Sequence, residues 1–302
     1  MTQTTKQPIA KPMAKTMAID YWTNIFTPDG LRKMYTENEE LAPVVKWWSM
    51  DDRIKGYDPV AFVELLDACN IEKVYIPSFK MQSYALRKLI LSVEQEDIRA
   101  LMAACPGRVG GLYGIDITRG MDAVRELEIA VREWGFEGAH IHCNGWGIPL
   151  NHRDLYPVYA KCSELDVPVI VQCGHSAEKM PSEVSRPMLL DDVALYFSDL
   201  TIVASHTGWP WVQELIALAW KHPNLYIGCG AHAPKYWDPA LIQFLNSRGK
   251  GKVLWGTDFP VVCHQDSLEQ VAEIDLKPSY RHELLRGAAE KVFKSLTQKP
   301  KS

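Results

Sequence analysis

Eight short apolar runs recur along the chain, at residues 17–22, 73–78, 109–116, 138–143, 168–173, 200–206, 225–230 and 252–258. Most are continuous, as in KVYIPS, PVIVQC and LTIVASH. Continuous runs suit parallel strands covered on both faces, whereas a half-exposed strand would alternate. Between the runs lie stretches of helical spacing. DPVAFVELLDAC (58–69) opens with Asp58 as an N-cap and Pro59 at the first helical position. MDAVRELEIAVREW (121–134) places Val124, Leu127, Ile129, Ala130 and Trp134 near a 3.6-residue period. Further helical patterns cover 154–165, 191–199, 210–222 and 238–248, and 279–296 reads as a closing helix. From the third run onward, strands begin roughly every 25–35 residues, the size of one βα unit. The expected fold is therefore an α/β single domain, a (β/α)8 TIM barrel. An open doubly wound sheet is the alternative, but it would carry a Gly-rich phosphate loop after the first strand, and none is present.

The barrel is expected to span residues 17–298, preceded by a flexible tail at 1–16. That tail is polar and lacks the apolar middle of a signal peptide. Residues 23–57 form an insertion after the first strand, rich in tryptophan, methionine and charge (EELAPVVKWWSMDDR). It is placed either to roof a site or to meet a partner subunit. Composition narrows the function. The chain has 302 residues, 47% hydrophobic, with a formal net charge of −4. It has no basic excess for a nucleic-acid or anionic-membrane surface. No apolar run approaches the ~20 residues that span a bilayer. Seven cysteines, an odd number without a CxxC pair, read as reduced thiols of a cytoplasmic protein. Cys173 as a nucleophile is the lesser reading.

In this architecture chemistry sits at the C-terminal ends of the strands. The ends read here are Asp20, Trp22 and Asn24; Ser78 and Lys80; Asp116; His140, His142 and Asn144; Gln172 and His175; His206; Cys229 and His232; and Asp258. Several of the nine histidines thus gather at one rim, which packing alone does not explain. His206, in ASHTGWPW, suits acid/base work near neutral pH, against the plainer reading of a histidine satisfied by a backbone carbonyl. Asp258, in GTDFP, ends an apolar strand and must be paired, hydrogen-bonded or metal-bound there, unless it merely caps the following turn. His175 lies one step into the loop after Gly174. His142 shares a face with His140 by period two.

The ordered set of AIDYW, GHS, HTGWPW and GTDFP resembles the amidohydrolase superfamily. Within it, the set resembles the amidohydrolase-2 branch of aminocarboxymuconate semialdehyde and resorcylate-type decarboxylases. The resemblance covers about residues 17–295 and is strongest over 168–260. It implies a metal-dependent barrel whose first strand ends in Asp-x-His-x-His and whose fifth strand supplies another histidine. Here Trp22, Asn24 and Gln172 stand at those positions. A tryptophan is no zinc ligand and an asparagine oxygen is a poor one. The resemblance retains His206 as the histidine acid/base and Asp258 as the strand-eight aspartate.

The expected catalytic residues are therefore His206, Asp258 and His175. Gln172, Trp22, Asn24, Lys80 and His142 are the expected substrate-binding residues. A metal-free pocket is favoured over a zinc or manganese ion relocated to His175, His206 and Asp258. The leading function is non-oxidative decarboxylation of a small aromatic or unsaturated carboxylic acid. Hydrolysis of a lactone, ester or amide is the alternative, and a non-catalytic binding subunit the second. The family resemblance also implies a homodimer, with Trp47, Trp48, Met50 and the helix at 211–220 as candidate contact surfaces.

Overall fold

A computed structural model describes residues 16–297. Apart from Thr16, the expected tail falls outside the described residues. Eight parallel strands form the barrel in the order β1 (Ala18–Asp20), β2 (Ile71–Pro77), β5 (Val109–Gly114), β6 (Ala139–Ile141), β7 (Val169–Val171), β8 (Ile202–Ala204), β9 (Leu225–Cys229) and β10 (Val253–Trp255). The two intervening strands, β3 (Phe79–Gln82) and β4 (Leu89–Val93), form a separate antiparallel hairpin. The apolar runs marked all eight barrel strands but not this hairpin, whose first arm, FKMQ, lacks a continuous apolar run.

The barrel closes between its last and first strands. Tyr21 N–H donates to the Trp255 carbonyl at 3.3 Å, Asp258 N–H to that of Trp22 at 2.8 Å, and Asn24 N–H to that of Phe259 at 2.9 Å. Asp20 fastens the same seam with its buried carboxylate. It accepts from Trp22 N–H, Thr23 Oγ1, Thr257 N–H and Oγ1, and pairs with His264 Nε2 at 3.1 Å. A buried carboxylate is tolerated only when surrounded by donors in this way.

Inward positions follow the two-residue period of the strands. Ile19, Tyr21, Tyr75, Leu112, Ile170, Val203 and Leu254 fill the interior, and the C-terminal segment closes the bottom with Phe293 stacked on Tyr75 at 3.7 Å. Tyr21 fits because two neighbouring strand ends lack side chains. A Cβ on Gly228 would lie 2.3 Å from Tyr21 Cζ, and one on Gly256 would lie 2.5 Å from Tyr21 Cε1.

Outside the barrel, the expected helix starts are present. Asp58 accepts from Val60 and Ala61 N–H at 2.9 and 3.0 Å, capping the helix Pro59–Ala68. The closing helix runs without a gap through Pro278–His282, a wider turn at Glu283–Gly287, and Ala288–Val292, and a separate short turn follows at Lys294–Leu296. The insertion at 23–57 folds over the barrel mouth as short helical segments. Met50 is fully buried there, so it belongs to the core and not to an exposed patch, while Trp47 is 66% exposed. Among the described residues no helix is long and apolar enough to cross a membrane.

Candidate active site

A cavity of about 670 Å³ opens at the C-terminal ends of the strands. Its floor comes from the barrel and its roof from the insertion, through Met34, Tyr35, Leu41, Val44, Trp47, Trp48 and Arg53. Arg53 fastens that roof. Its guanidinium donates to the carbonyls of Pro260 at 2.6 Å, Trp48 at 3.0 Å and Val261 at 3.2 Å.

Seven of the eight expected site residues line this cavity: Trp22, Asn24, His142, Gln172, His175, His206 and Asp258. Lys80 does not. It sits on the hairpin and pairs with Asp116 at 3.1 Å, so it is corrected from a substrate-binding to an ion-paired residue. His140 and His232, read as strand-end histidines, also line the cavity. Tyr35, Arg53 and Glu178 were not foreseen. Glu178 meets His142, with Oε1 2.5 Å from Nε2.

His206 and Asp258 both take left-handed backbone conformations, with φ of 59° and 55°. Such values are uncommon outside glycine and here turn both side chains off the strand ends into the mouth. His140 is the inward residue of β6. Its Nδ1 lies 3.2 Å from the Ser78 carbonyl, leaving Nε2 buried without a partner. Trp22 Nε1, Gln172 Oε1 and His206 Nδ1 are likewise buried and unpartnered. Gln172 Nε2 donates to Ser176 Oγ at 3.3 Å. His175 is exposed at the rim, its ring edge-on to Trp209 at 5.5 Å.

Burial sets the protonation states. It lowers His206 to about 3, helped by His232 and His142. His232 falls to about 4 through burial and the nearby His175. His140 lies well below the usual histidine range for the same reason, with His142 and His206 adding to it. Asp258 moves the other way. Burial raises its carboxyl well above the usual range, the Asn24 hydrogen bond opposes this, and Asp20 adds to the rise. The floor therefore presents neutral imidazoles beside a carboxyl group whose protonated form is favoured by burial.

Residues 87–294, more than half the chain, match the amidohydrolase family model. The chain belongs to the amidohydrolase family. Solved structures share this amidohydrolase fold. An uncharacterised TIM-barrel protein from Bordetella bronchiseptica is 24% identical, with a TM-score of 0.76, over 93% of this chain and 99% of that one. The 5-carboxyvanillate decarboxylase of Novosphingobium aromaticivorans, complexed with manganese and 4-hydroxy-3-methoxy-5-nitrobenzoic acid, is 16% identical with a TM-score of 0.69, over 92% and 96%. A 2,6-dihydroxybenzoate decarboxylase from Rhizobium is 16% identical with a TM-score of 0.65, over 94% and 99%.

The family implies a divalent ion, and the residues of this amidohydrolase do not fit one. Trp22 packs edge-on against His140, with ring centroids 4.6 Å apart, and against His206 at 5.0 Å. Asn24 spends its amide on Asp258, with Nδ2 to Oδ1 at 2.8 Å. The relocated set His175, His206 and Asp258 is not assembled either. Among the described residues no three or more His, Cys, Asp or Glu side chains are grouped to hold a metal.

Proposed function

We propose that this amidohydrolase-family enzyme is a non-oxidative decarboxylase of a small aromatic carboxylic acid. The observation that carries the reading is Asp258, a buried acid on the cavity floor that accepts a hydrogen bond from the neutral amide of Asn24 and has no cationic partner among the described residues. A carboxyl group whose burial favours its protonated form is suited to donate that proton. Its proton goes to the ring carbon that bears the substrate carboxylate. The carbon–carbon bond then breaks, its electron pair returns to the ring, and CO2 leaves. Asp258 recovers a proton from solvent.

His206, neutral and buried, serves as acceptor for a ring hydroxyl, which raises electron density at the carbon to be protonated. Arg53 and Lys235 in the cavity wall provide a positive field for the carboxylate. Trp22, Trp48, Phe79 and Trp209 give an aromatic wall to a flat ring. Two of the structural neighbours are decarboxylases of hydroxylated benzoates, which supports the same substrate class. The hydrolase alternative needs Asp258 ionised to activate water, and its burial disfavours that state. A cytoplasmic homodimer completes the proposal, supported by the buried thiols of Cys105, Cys143, Cys162, Cys173 and Cys229 and by the exposed Trp47 and Trp220.

The test is a panel of hydroxybenzoates and unsaturated dicarboxylic acids incubated with the enzyme in D2O. CO2 release with one deuterium at the vacated carbon is the expected result. Ring opening of a lactone without CO2 would move the enzyme to the hydrolases. Tight binding of an aromatic acid with no turnover of any compound would leave a binding subunit.

A further inference from the structure

Trp22 is clamped. Its N–H donates to Asp20 Oδ1 at 2.9 Å, and its carbonyl accepts from Asp258 N–H at 2.8 Å. The residue is 4% exposed. The backbone is tied on both sides, and the indole lies against the rings of His140 and His206 at once. An ion shared by those two histidines needs both ring nitrogens at roughly 2.0–2.1 Å. The indole packs edge-on against both rings, with centroids 4.6 and 5.0 Å away, and so competes with an ion for the space beside them. Of the flanking amides, Asn24 Nδ2 donates to Asp258 and Gln172 Nε2 to Ser176, so each has only a neutral carbonyl oxygen left for an ion, a poor ligand beside imidazole. The indole nitrogen itself is buried and carries a hydrogen, so it offers the cavity a donor where an ion would offer a charge.

We propose that Trp22 stands in place of the divalent ion, so that this barrel excludes divalent cations and is a metal-independent member of its family. Exclusion rests on the indole of Trp22, and the neutral amides of Asn24 and Gln172 do not compensate for the imidazoles they replace. It holds whichever reaction the cavity performs.

The probe is Mn2+ alone, followed by the loss of its free-ion electron paramagnetic resonance signal. Untagged full-length protein, stripped with a chelator, is mixed with an equimolar amount. The wild-type chain is expected to leave the signal unchanged. A triple variant, Trp22→His with Asn24→His and Gln172→His, is expected to remove about one ion per chain, since it restores imidazole donors and clears the indole. Removal of about one ion per chain by the wild type would overturn the proposal. So would a triple variant that retains the wild-type circular dichroism spectrum and binds nothing. If the triple variant does not fold, Trp22→His alone makes the comparison. Gain of Mn2+ binding by that single variant supports exclusion by the indole, and no gain overturns it.

Discussion

Asn24 and Asp258 meet across the seam that closes the barrel. Asn24 Nδ2 donates to Asp258 Oδ1 at 2.8 Å and to the Asp258 carbonyl at 3.3 Å. One amide thus fixes both the backbone and the carboxyl of the residue in the turn just past the last strand. The acid is positioned by the same contact that joins the first strand to the eighth.

Asp258→Asn should remove the proton donor and leave the seam in place. Asparagine is also among the few residues that tolerate a φ of 55°. Turnover should fall at least ~100-fold, the lower scale of acid/base contributions, with a melting temperature within a few degrees of wild type. Single-turnover CO2 release together with a thermal melt decides it. Wild-type turnover would take Asp258 out of the mechanism.

Acid should destabilise the fold through the buried histidines. His206 and His232 titrate at about 3 and about 4 in the folded chain, against 6.5 for an ordinary histidine. Folded-state values are lowered, so this stability is complete above pH 6.5 and is lost as pH falls toward them. Each ring steepens the loss by up to about 1.4 kcal/mol per pH unit. Asp258, raised by burial, works in the opposite sense and costs stability as pH rises above the ordinary carboxyl range. His206→Gln should flatten the acid limb, gaining stability relative to wild type at pH about 5 compared with pH about 7.5. Urea midpoints across that range measure it, and an unchanged slope would remove His206 as a source.

Arg53→Ala should loosen the roof. Three charge-assisted bonds to backbone carbonyls disappear, and the carbonyls of Pro260 and Val261 lose that donor. A loss of about 1–3 kcal/mol in unfolding free energy is expected, with weaker binding of an aromatic acid. Isothermal titration and urea unfolding report the two effects separately. Unchanged affinity would mean the roof does not shape the cavity.

The barrel was legible because most of its strands are continuous apolar runs, and several end in histidine, glutamine or aspartate. Those ends also marked most of the cavity floor, since a polar residue directly after a buried strand has few other places to go. Contacts between distant segments were not legible. Arg53 reaches carbonyls more than 200 positions away, and backbone acceptors leave no trace in side-chain pattern. Glu178 finds His142 only because the loop after β7 folds back over the mouth. Lys80 read as a rim residue because it follows β2, but the hairpin carries it to Asp116. At Trp22 the pattern showed that a ligand type was missing, while the packing of the indole against two histidines depended on the closed barrel.

Tyr21 and its two glycines bear on how such a pocket changes over generations. The ring reaches across the axis and takes a hydrogen bond from Gly230 N–H at 3.1 Å, with Gly228 and Gly256 yielding the room. None of the three can be altered freely while the others stay. A methyl group at either glycine collides with the ring, so a side chain at either position requires the tyrosine to move. Tyr21 stands outside the cavity lining, so this steric coupling leaves the side chains of rim and roof free to vary without disturbing it.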